Sequence, residues 1–164
     1  MSAVIEIVTA GPEHEQGWRA LWALYCGGGV GEATTAATWR RILDPASSIG
    51  ASVATEAGAV VGFVTYVEHE GTWETTSLCY VEDLYVAKSH RGDIKGVGQA
   101  LAGALLTRLR AGEWSRLYCI TEADNFVAQR LYSGFAKGVP YLRYVLRGAN
   151  LDPQAPSRMS LPVA

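Results

Sequence analysis

Between residues 78 and 109 the arrangement of apolar residues changes from one typical of a strand to one typical of a helix, and a turn rich in glycine separates the two. The run from Leu78 to Val86 is short and rich in β-branched and aromatic residues, which predicts a strand. Beyond the turn an apolar residue recurs at helical spacing, which predicts a helix. The residues of this stripe are Val97, Leu101, Leu105 and Leu109. A strand, a glycine-rich turn and a helix in succession favour a fold in which helices pack on a sheet.

Upstream of this segment the chain predicts a strand, two helices and two further strands. Residues 4–8 are β-branched and alternate, so they predict a strand that Gly11-Pro12 ends. Two apolar helical faces follow, separated by the glycine run 27–31. The first face is formed by Trp18, Leu21, Trp22 and Tyr25, and the second by Trp39, Ile42 and Leu43. Residues 52–56 and 60–68, joined by an Ala57-Gly58 turn, complete an antiparallel meander with 78–86.

Downstream, the chain predicts a strand at 117–121, a helix at 126–135 and a last strand at 141–146. The element order is then β-α-α-β-β-β-α-β-α-β. This is an α/β (α+β) arrangement with a mixed, mostly antiparallel central sheet flanked by helices. We expect residues 1–147 to form a single domain, because no repeat or boundary interrupts them. Residues 148–164 contain three prolines and no periodicity, and are expected to form a C-terminal tail.

Composition excludes several classes of protein. With 164 residues, 49% of them apolar and 18% charged, the chain resembles a soluble globular domain with one core. No stretch approaches the roughly 18 apolar residues of a spanning helix, and no targeting signal is recognisable, so no membrane partner is expected. Cys26, Cys79 and Cys119 are too few and too scattered for a disulfide framework or a metal site. We therefore expect a cytoplasmic protein without a metal.

The distribution of charge is more informative than its sum. A net charge of −2 argues against a nucleic-acid partner held by bulk positive charge. Residues 42–87 contain seven acidic residues and no Lys or Arg, whereas residues 88–147 contain ten basic and four acidic residues. Such a division suggests one region suited to a cation and another suited to an anion. Both sets also fit ordinary solvated faces.

The glycine-rich turn spans residues 90–98, where the N-terminus of a helix can hold phosphate. A Walker A loop requires Gly-Lys followed by Ser or Thr, but here Lys95 precedes Gly96. A dinucleotide-binding fingerprint requires a glycine where this chain has Leu101, and an acidic residue on a following parallel strand that is missing. On this turn alone, a tight connection without a ligand stays open.

Two motifs around this turn resemble the acetyl-CoA-binding signature of the GNAT superfamily of N-acetyltransferases. The first is Tyr80-Val81-Glu82-Asp83-Leu84-Tyr85-Val86, followed by His90-Arg91-Gly92 and Lys95-Gly96-Val97-Gly98. The second, Asn125, Ala128, Leu131 and Tyr132, is similar to the family's Asn-x-x-Ala-x-x-Leu-Tyr motif after the fifth strand. Glu-Asp-Leu-Tyr-Val is similar to polyamine acetyltransferases. The spacing from Tyr132 to Tyr144 resembles a branch that includes yeast histone, polyamine and D-amino-acid acetyltransferases.

The resemblance implies a binding site for acetyl-CoA. Backbone N–H groups from Lys95 to Gln99 would contact its phosphates, and those near Leu84, Tyr85 and Val86 would polarise the acetyl carbonyl. The other residues that the resemblance places at acetyl-CoA are Arg91, Gly92, Gly96, Val97, Gly98, Asn125 and Ala128. Asn125 is equally suited to cap the helix that follows it. The insertion Asp93-Ile94 departs from the family pattern and affects how Arg91 and Gly92 reach the ligand.

Acetyl transfer to an amine requires a neutral amine and a proton for the departing thiolate. An alkylammonium with a pKa of about 10.4 is almost fully protonated at pH 7, so a base must act on it. Glu82 is the predicted base, because apolar neighbours on its strand suggest partial burial and a raised pKa. Tyr132 is the predicted acid for the leaving sulfur, although helical spacing alone would equally place it in the core.

The sequence therefore predicts an N-acetyltransferase that moves an acetyl group from acetyl-CoA directly to a primary amine. The acidic region favours a cationic small molecule as acceptor, such as a polyamine, a diamine or an amino sugar. A lysine side chain of a protein is the second choice of acceptor. A module that binds acyl-CoA without turnover is the alternative from another class. The last strand and the apolar tail could pair across a two-fold axis, so a homodimer is possible.

Overall fold

The computed structural model describes residues 4–92 and 96–145, which form five strands and four α-helices. In chain order these are β1 (Ile5–Thr9), α1 (Glu15–Cys26), α2 (Glu32–Leu43), β2 (Ile49–Glu56), β3 (Ala59–His69), β4 (Leu78–Val86), α3 (Val97–Arg110), β5 (Arg116–Cys119) and α4 (Phe126–Ser133). Short 3-10 turns precede α1 at Pro12–His14 and follow β4 at Lys88–His90. The predicted order is confirmed from β1 to α4. None of the described helices is long and apolar enough to cross a bilayer.

The strands lie side by side in chain order, from β1 to β5. The first four pair antiparallel, and β5 pairs parallel to β4 after the crossover through α3. The tight turn between β2 and β3 uses Ala57 and Gly58, with φ of 50° and 82°. Two successive residues of positive φ match the right-handed twist of a hairpin, which explains the predicted turn there. The predicted meander is confirmed.

Each face of the sheet carries its own apolar core. Alternation along β2 and β3 sends Val53 and Phe63 to the face covered by α1 and α2, and Ala54 and Val64 to the face covered by α3. The first face packs four aromatic side chains together: Trp18, Trp22, Trp39 and Phe63. The helical stripe predicted from sequence supplies the second face. Its buried members are Val97, Leu101 and Leu105, each at most 1% exposed.

A β-bulge interrupts the pairing of β3 with β4. Thr65 pairs with Asp83 but the next residue of β3, Tyr66, pairs with Val81, so Glu82 is the extra residue of β4. Val81 on one side of the bulge and Leu84 on the other both contact the α3 core. Because a bulge inserts one residue into the alternation, Glu82 and Asp83 both project from the opposite face.

β4 and β5 separate half-way along β4. Their pairing runs from Leu78 opposite Arg116 to Val81 opposite Cys119 and then ends. From residue 82 to residue 86, β4 therefore pairs only with β3 among the strands of the described chain. We call this unpaired side of β4, from residue 82 to residue 86, the cleft; α4 follows β5 in the chain.

The last predicted strand, at 141–146, is not found. Residues 141–145 have no regular structure, and Leu146 lies outside the described residues. A strand requires a hydrogen-bonding partner and normally one buried face. Here Tyr141, Leu142 and Tyr144 are 87%, 83% and 88% exposed, so neither face is covered. The predicted tail 148–164 lies outside the described residues, as do Asp93, Ile94 and Lys95.

Candidate active site

The turn that the sequence predicts to bind phosphate lies at the start of α3. Gly96 is the residue before the helix and has a φ of 58°, which glycine adopts without steric cost. In the first turn, Val97 is buried and anchors the helix to the sheet, whereas Gln99 is exposed. The first N–H groups of a helix have no intrahelical acceptor, so this turn presents donors and a positive dipole end to an anion. Lys95, predicted to take part, lies outside the described residues.

The space around Gly98 shows how closely the first turn of α3 is packed. A Cβ added at Gly98 would lie 3.6 Å from Leu131 Cδ2 of α4 and 3.8 Å from Leu84 Cδ2 of β4. These are ordinary contact distances, so the protein itself has room for a methyl group at this position. The third neighbour of this Cβ would be Val86 Cγ2 of β4, at 3.9 Å. The position therefore lies where α3, β4 and α4 meet.

Arg91 lies beside this end of the cleft but is engaged within the protein. Its Nε donates a hydrogen bond to the carbonyl oxygen of Val86 at 2.8 Å, and its guanidinium lies 4.8 Å from the centre of the Tyr85 ring. Gly92, with a φ of 105°, carries the chain away from this contact. The structure thus brings Arg91 to the end of β4, while the role in binding acetyl-CoA stays a prediction.

The three predicted polarising residues, Leu84, Tyr85 and Val86, lie on the part of β4 that β5 has left. Each pairs with β3 on its other side, opposite Val64, Phe63 and Gly62 respectively. In an antiparallel pair, alternate backbone groups point away from the partner. Backbone groups of this stretch therefore face the cleft, as an oxyanion-binding role requires.

Glu82 is more exposed than its apolar neighbours suggested, because the bulge turns it out of the alternation. Its pKa is nevertheless raised, first by desolvation and then by the adjacent Asp83 carboxylate, while Arg143 acts in the opposite direction. None of the described residues hydrogen-bonds to the Glu82 carboxylate. A carboxylate that is unengaged and has a raised pKa is suited to accept a proton near neutral pH.

Tyr132 approaches the same part of β4 from α4. Burial, followed by the proximity of Cys119, Tyr80 and Asp83, raises the pKa of Tyr132 to about 12. Tyr80 and Asp83 flank Glu82 on β4, so Tyr132 lies near the part of the strand that carries the predicted base. At neutral pH the phenol is protonated and can donate a hydrogen bond.

Asn125 and Ala128 are joined in the N-terminal cap of α4. The Asn125 side chain accepts a hydrogen bond from the backbone N–H of Ala128 at 3.1 Å. This is the capping role that the sequence left open for Asn125. The cap fixes the first turn of α4 and thereby the direction in which Tyr132 projects, and a contact with acetyl-CoA stays a prediction for both residues.

Sequence reasoning assigned no separate role to Asp83, and it overlooked Thr65 and the position of Tyr25 beside the site. The Thr65 hydroxyl donates a hydrogen bond to Asp83 Oδ2. Tyr25, at the end of α1, faces the same carboxylate, and its pKa is raised by burial first and then by the charge of Asp83 and a hydrogen bond to it. An available signal was the odd spacing between the inward residues Val81 and Leu84, which indicates a bulge.

Three of the seven acidic residues singled out by the charge pattern are paired with the second, more basic half of the chain. Three carboxylates form such pairs: Glu56 with His90 at 2.8 Å, Glu68 with Arg108 at 3.4 Å and Glu74 with Arg116 at 3.4 Å. Glu82 and Asp83 are the acidic residues that lie at the cleft. No group of His, Cys, Asp and Glu within 4–92 and 96–145 is arranged to hold a metal ion.

Comparison with known proteins identifies the family. The model of the acetyltransferase (GNAT) family matches residues 16–135. This range includes the two helices that follow β1, from the second residue of α1 onward, the bulged strand β4, the glycine-rich turn and α4 with Tyr132. This chain belongs to the GNAT acetyltransferase family. The family resemblance of the two sequence motifs is thereby confirmed, and the protein is an N-acetyltransferase that uses acetyl-CoA.

Among curated proteins, this GNAT chain is 30% identical over 142 residues to the D-amino-acid N-acetyltransferase HPA3 of Saccharomyces cerevisiae, covering 84% of this chain and 87% of the yeast protein. Among solved structures, it is similar to a ribosomal-protein-alanine N-acetyltransferase from Brucella melitensis biovar Abortus 2308. That match has a TM-score of 0.74 and 23% identity, and covers 88% of this chain and 99% of the other.

A second solved structure supports the same fold. The aminoglycoside N-acetyltransferase AAC(6')-Iy in complex with CoA matches with a TM-score of 0.75 and 19% identity, covering 90% of this chain and 97% of the other. At this level of identity the match concerns the fold. The predicted fold class, a mixed and mostly antiparallel sheet flanked by helices, is confirmed.

Proposed function

We propose that this GNAT enzyme transfers the acetyl group of acetyl-CoA directly to the primary amine of a cationic small molecule. The observation that carries the proposal is the nearness of Tyr132 to Tyr80 and Asp83, the residues that flank Glu82 on β4. The Glu82 carboxylate projects from the bulge of β4, and the Tyr132 hydroxyl approaches from α4, near the Tyr80 and Asp83 neighbours of Glu82. A base and a proton donor on opposite sides of the reacting carbon are what aminolysis of a thioester requires.

The donor half of the site is proposed on the backbone. The pantetheine chain of acetyl-CoA would lie along the free side of β4 at Leu84 to Val86, where no strand pairs. Its phosphates would bind at Gly96 to Gln99, with Lys95, Arg91 and Gly92 nearby, and Asn125 and Ala128 would border the chain from α4. A primary amine could then reach the thioester from the α1 side of the sheet.

Glu82 would remove the proton of the acceptor ammonium, directly or through water. The raised pKa of Glu82 brings the carboxylate closer to the pKa of the amine and so reduces the cost of the transfer. The neutral amine then attacks the thioester carbon, and the oxyanion that forms would accept hydrogen bonds from backbone N–H groups of β4.

Tyr132 would stabilise the departing thiolate chiefly by donating a hydrogen bond. Full transfer of its proton is uphill, because the pKa of Tyr132 is raised to about 12 whereas a thiol has a pKa of about 8.5. The proton that finally neutralises the thiolate would come from the ammonium formed on the attacking amine. This division gives Glu82 the role of base and Tyr132 that of hydrogen-bond donor.

A cationic acceptor is favoured by the two carboxylates that the bulge places side by side, and by the aromatic side chains of Tyr25, Tyr80 and Tyr85 around them. Aromatic faces attract alkylammonium groups. Polyamines, diamines and amino sugars have this chemistry. The yeast relative, named for D-amino acids, makes an amino acid the next acceptor to compare, and a protein lysine remains the other alternative.

The test is a calorimetric titration with acetyl-CoA, using CoA without the acetyl group for comparison, followed by amine-dependent release of CoA. We expect micromolar binding and turnover with diamines and polyamines above that with amino acids of equal concentration. Binding without amine-dependent CoA release would instead establish a module that holds acyl-CoA without catalysis. A preference for amino acids would keep the reaction and replace the acceptor class.

Assembly and location complete the proposal. We propose that two copies pair through the outer edge of β5 and the exposed apolar residues Val139, Tyr141, Leu142 and Tyr144. The edge of β5 has no partner strand within the described chain, and the neighbouring segment has strand-like composition without a partner of its own.

Residues 1–147 are proposed as one catalytic domain. A reducing cytoplasm would suit the three free thiols.

A further inference from the structure

The environment of Asp83 differs from that of the neighbouring Glu82, although the bulge sends both carboxylates to the same face. Asp83 is half-buried and accepts a hydrogen bond from Thr65, a residue only 3% exposed on the adjacent strand. Glu82 is exposed and has no such bond among the described residues. One carboxylate is therefore fixed to the sheet, and the other is free to take part in chemistry.

Asp83 also connects the bulge to the end of α1. Tyr25, in the last turn of α1, faces the Asp83 carboxylate, and its ring packs 6.0 Å from Phe63 and 5.8 Å from Tyr85, measured between ring centres. Directly after this turn the chain enters a glycine run in which Gly27 and Gly28 have positive φ. The contact with Asp83 therefore lies in the last turn of α1, directly before the connection to α2.

We propose that Asp83 is a positioning residue for acetyl transfer: anchored by Thr65 and faced by Tyr25, it fixes the bulge that aims Glu82 and holds the end of α1 beside it. This inference rests on the proposed function, in which Glu82 is the base. The bulge geometry explains why a fixed partner is needed, because an unpaired residue in a strand has more backbone freedom than its neighbours.

The charge of Asp83 adds an electrostatic consequence. The groups that face Glu82 are Asp83 and Tyr80 on its own strand, Arg143 from the 141–145 segment, and Tyr132 of α4 through its contacts with Tyr80 and Asp83. Of these, Asp83 is the like charge that raises the pKa of Glu82, and Arg143 lowers it. Removing the charge of Asp83 while keeping its shape must therefore lower the pKa of the base.

The experiment compares pH profiles of kcat/KM for the wild type, Asp83→Asn and Asp44→Asn. Asp44 lies at the end of α2 and is not among the charged groups that shift the pKa of Glu82. Its variant therefore loses the same charge without acting on the proposed base. We expect Asp83→Asn to move the acid limb to lower pH and to reduce kcat about tenfold, with acetyl-CoA affinity unchanged. Asp44→Asn should leave the limb in place. An acid limb unmoved in Asp83→Asn would overturn the proposal.

Two further variants keep the test decisive if Asp83→Asn is poorly folded. Thr65→Val and Tyr25→Phe retain the carboxylate and remove one hydroxyl each. Both should lower kcat several-fold without moving the acid limb to lower pH, and wild-type kcat in both would contradict the positioning role. Failure of the proposed function is separately visible, because then Glu82→Gln would leave the acid limb of the wild type intact.

Discussion

At the scale of single residues, the proposed site contains two adjacent carboxylates with unequal surroundings. Asp83 is held by Thr65, whereas Glu82 stands free beside it with a raised pKa. A strand without a bulge would have sent these side chains to opposite faces. The difference between an anchored and a free carboxylate lets neighbouring residues of the same charge serve different purposes.

Glu82→Gln should lower kcat/KM about a hundredfold at neutral pH, as expected for loss of a general base. The loss should shrink above pH 8, because the fraction of free amine rises toward its pKa of about 10.4. The raised pKa of Glu82 means that wild-type activity falls as the pH drops through that pKa, at a higher pH than for an ordinary carboxyl group. Steady-state rates measured over a range of pH would show both effects.

Glu70→Gln is the control for this variant, because Glu70 is exposed in the nearby loop between β3 and β4 and loses the same charge. It should retain the wild-type pH profile. A Glu82→Gln enzyme with the wild-type profile would remove Glu82 from the mechanism.

Tyr132→Phe should reduce kcat by about ten- to a hundredfold while leaving the affinity for acetyl-CoA almost unchanged. The hydroxyl acts on the thiolate that develops in the transition state, and the ring that packs in the cleft is retained. The pKa of Tyr132 is raised to about 12. Below that pH, ionisation of Tyr132 should therefore not cause a loss of activity in the wild-type pH profile. Single-turnover rates and calorimetry would separate the two parameters.

Tyr144→Phe provides the matched control, since Tyr144 is 88% exposed and is assigned to the proposed contact between copies rather than to acetyl transfer. If Tyr132→Phe turns over at the wild-type rate, the thiolate is stabilised by another group or by water.

The residues of the site were predictable where a motif fixes them and not where a contact does. Glu82, Tyr132 and the turn at Gly96 to Gln99 were singled out by the two family motifs, and their roles stay predictions. The roles of Thr65 and Tyr25 depend on the register of β3 against β4 and on the packing of α1. Neither the register nor the packing can be inferred from a local sequence pattern, although the odd spacing of Val81 and Leu84 indicates the bulge.

At the scale of elements, α3 serves both the core and the site. Its stripe of Val97, Leu101 and Leu105 is buried against the sheet, and its first turn opens onto the cleft. The position of the helix is therefore fixed by the same apolar contacts that the sequence pattern revealed. This explains why the position of the turn that is predicted to bind phosphate could be inferred together with the fold.

Alanine variants at two glycines of α3 would distinguish an effect on helix stability from an effect on acetyl-CoA binding. Gly98→Ala and Gly103→Ala should each stabilise the helix by about 0.5–1 kcal/mol, because alanine loses less backbone entropy than glycine. Only Gly98→Ala places a methyl group between β4 and α4, so only this variant should bind acetyl-CoA more weakly, by about tenfold. Thermal unfolding and calorimetry on the two proteins would test both statements.

Gly103 is suited to be the control because an added Cβ there would meet nothing within 4 Å. Equal affinities for acetyl-CoA in the two variants would show that the ligand does not approach Gly98.

The last predicted strand shows what an element needs beyond its own sequence. Residues 141–145 are rich in aromatic and β-branched residues, as strands are, but the described chain offers them neither a partner nor a covering layer. The strands from β1 to β5 were predictable because each has a neighbour in the same sheet. Composition alone does not reveal whether such a neighbour exists.

At the scale of the whole molecule, the uncovered edge of β5 leads to a prediction about assembly. The protein should have about twice the 17.6 kDa mass of the chain in light scattering, because pairing of two copies would cover Tyr141, Leu142 and Tyr144. Leu142→Asp should shift the mass toward that of one chain by placing a charge in the contact. A monomeric wild type at micromolar concentration would end the proposal of a dimer.

Trp73→Ser is the control for Leu142→Asp, since Trp73 is 92% exposed in the loop between β3 and β4. Its removal also deletes an exposed apolar side chain but should leave the mass unchanged. A shift in both variants would indicate general association through apolar surface rather than a defined contact.

The ion pairs between the two halves of the chain bear on how the protein is made. Glu56, Glu68 and Glu74 all precede their partners His90, Arg108 and Arg116 in the sequence. During synthesis, the four strands of the meander leave the ribosome before most of the positive charge that balances them has been translated. The nascent first half is therefore an acidic sheet with one uncovered face, and it reaches electrical balance only when α3 and β5 have emerged.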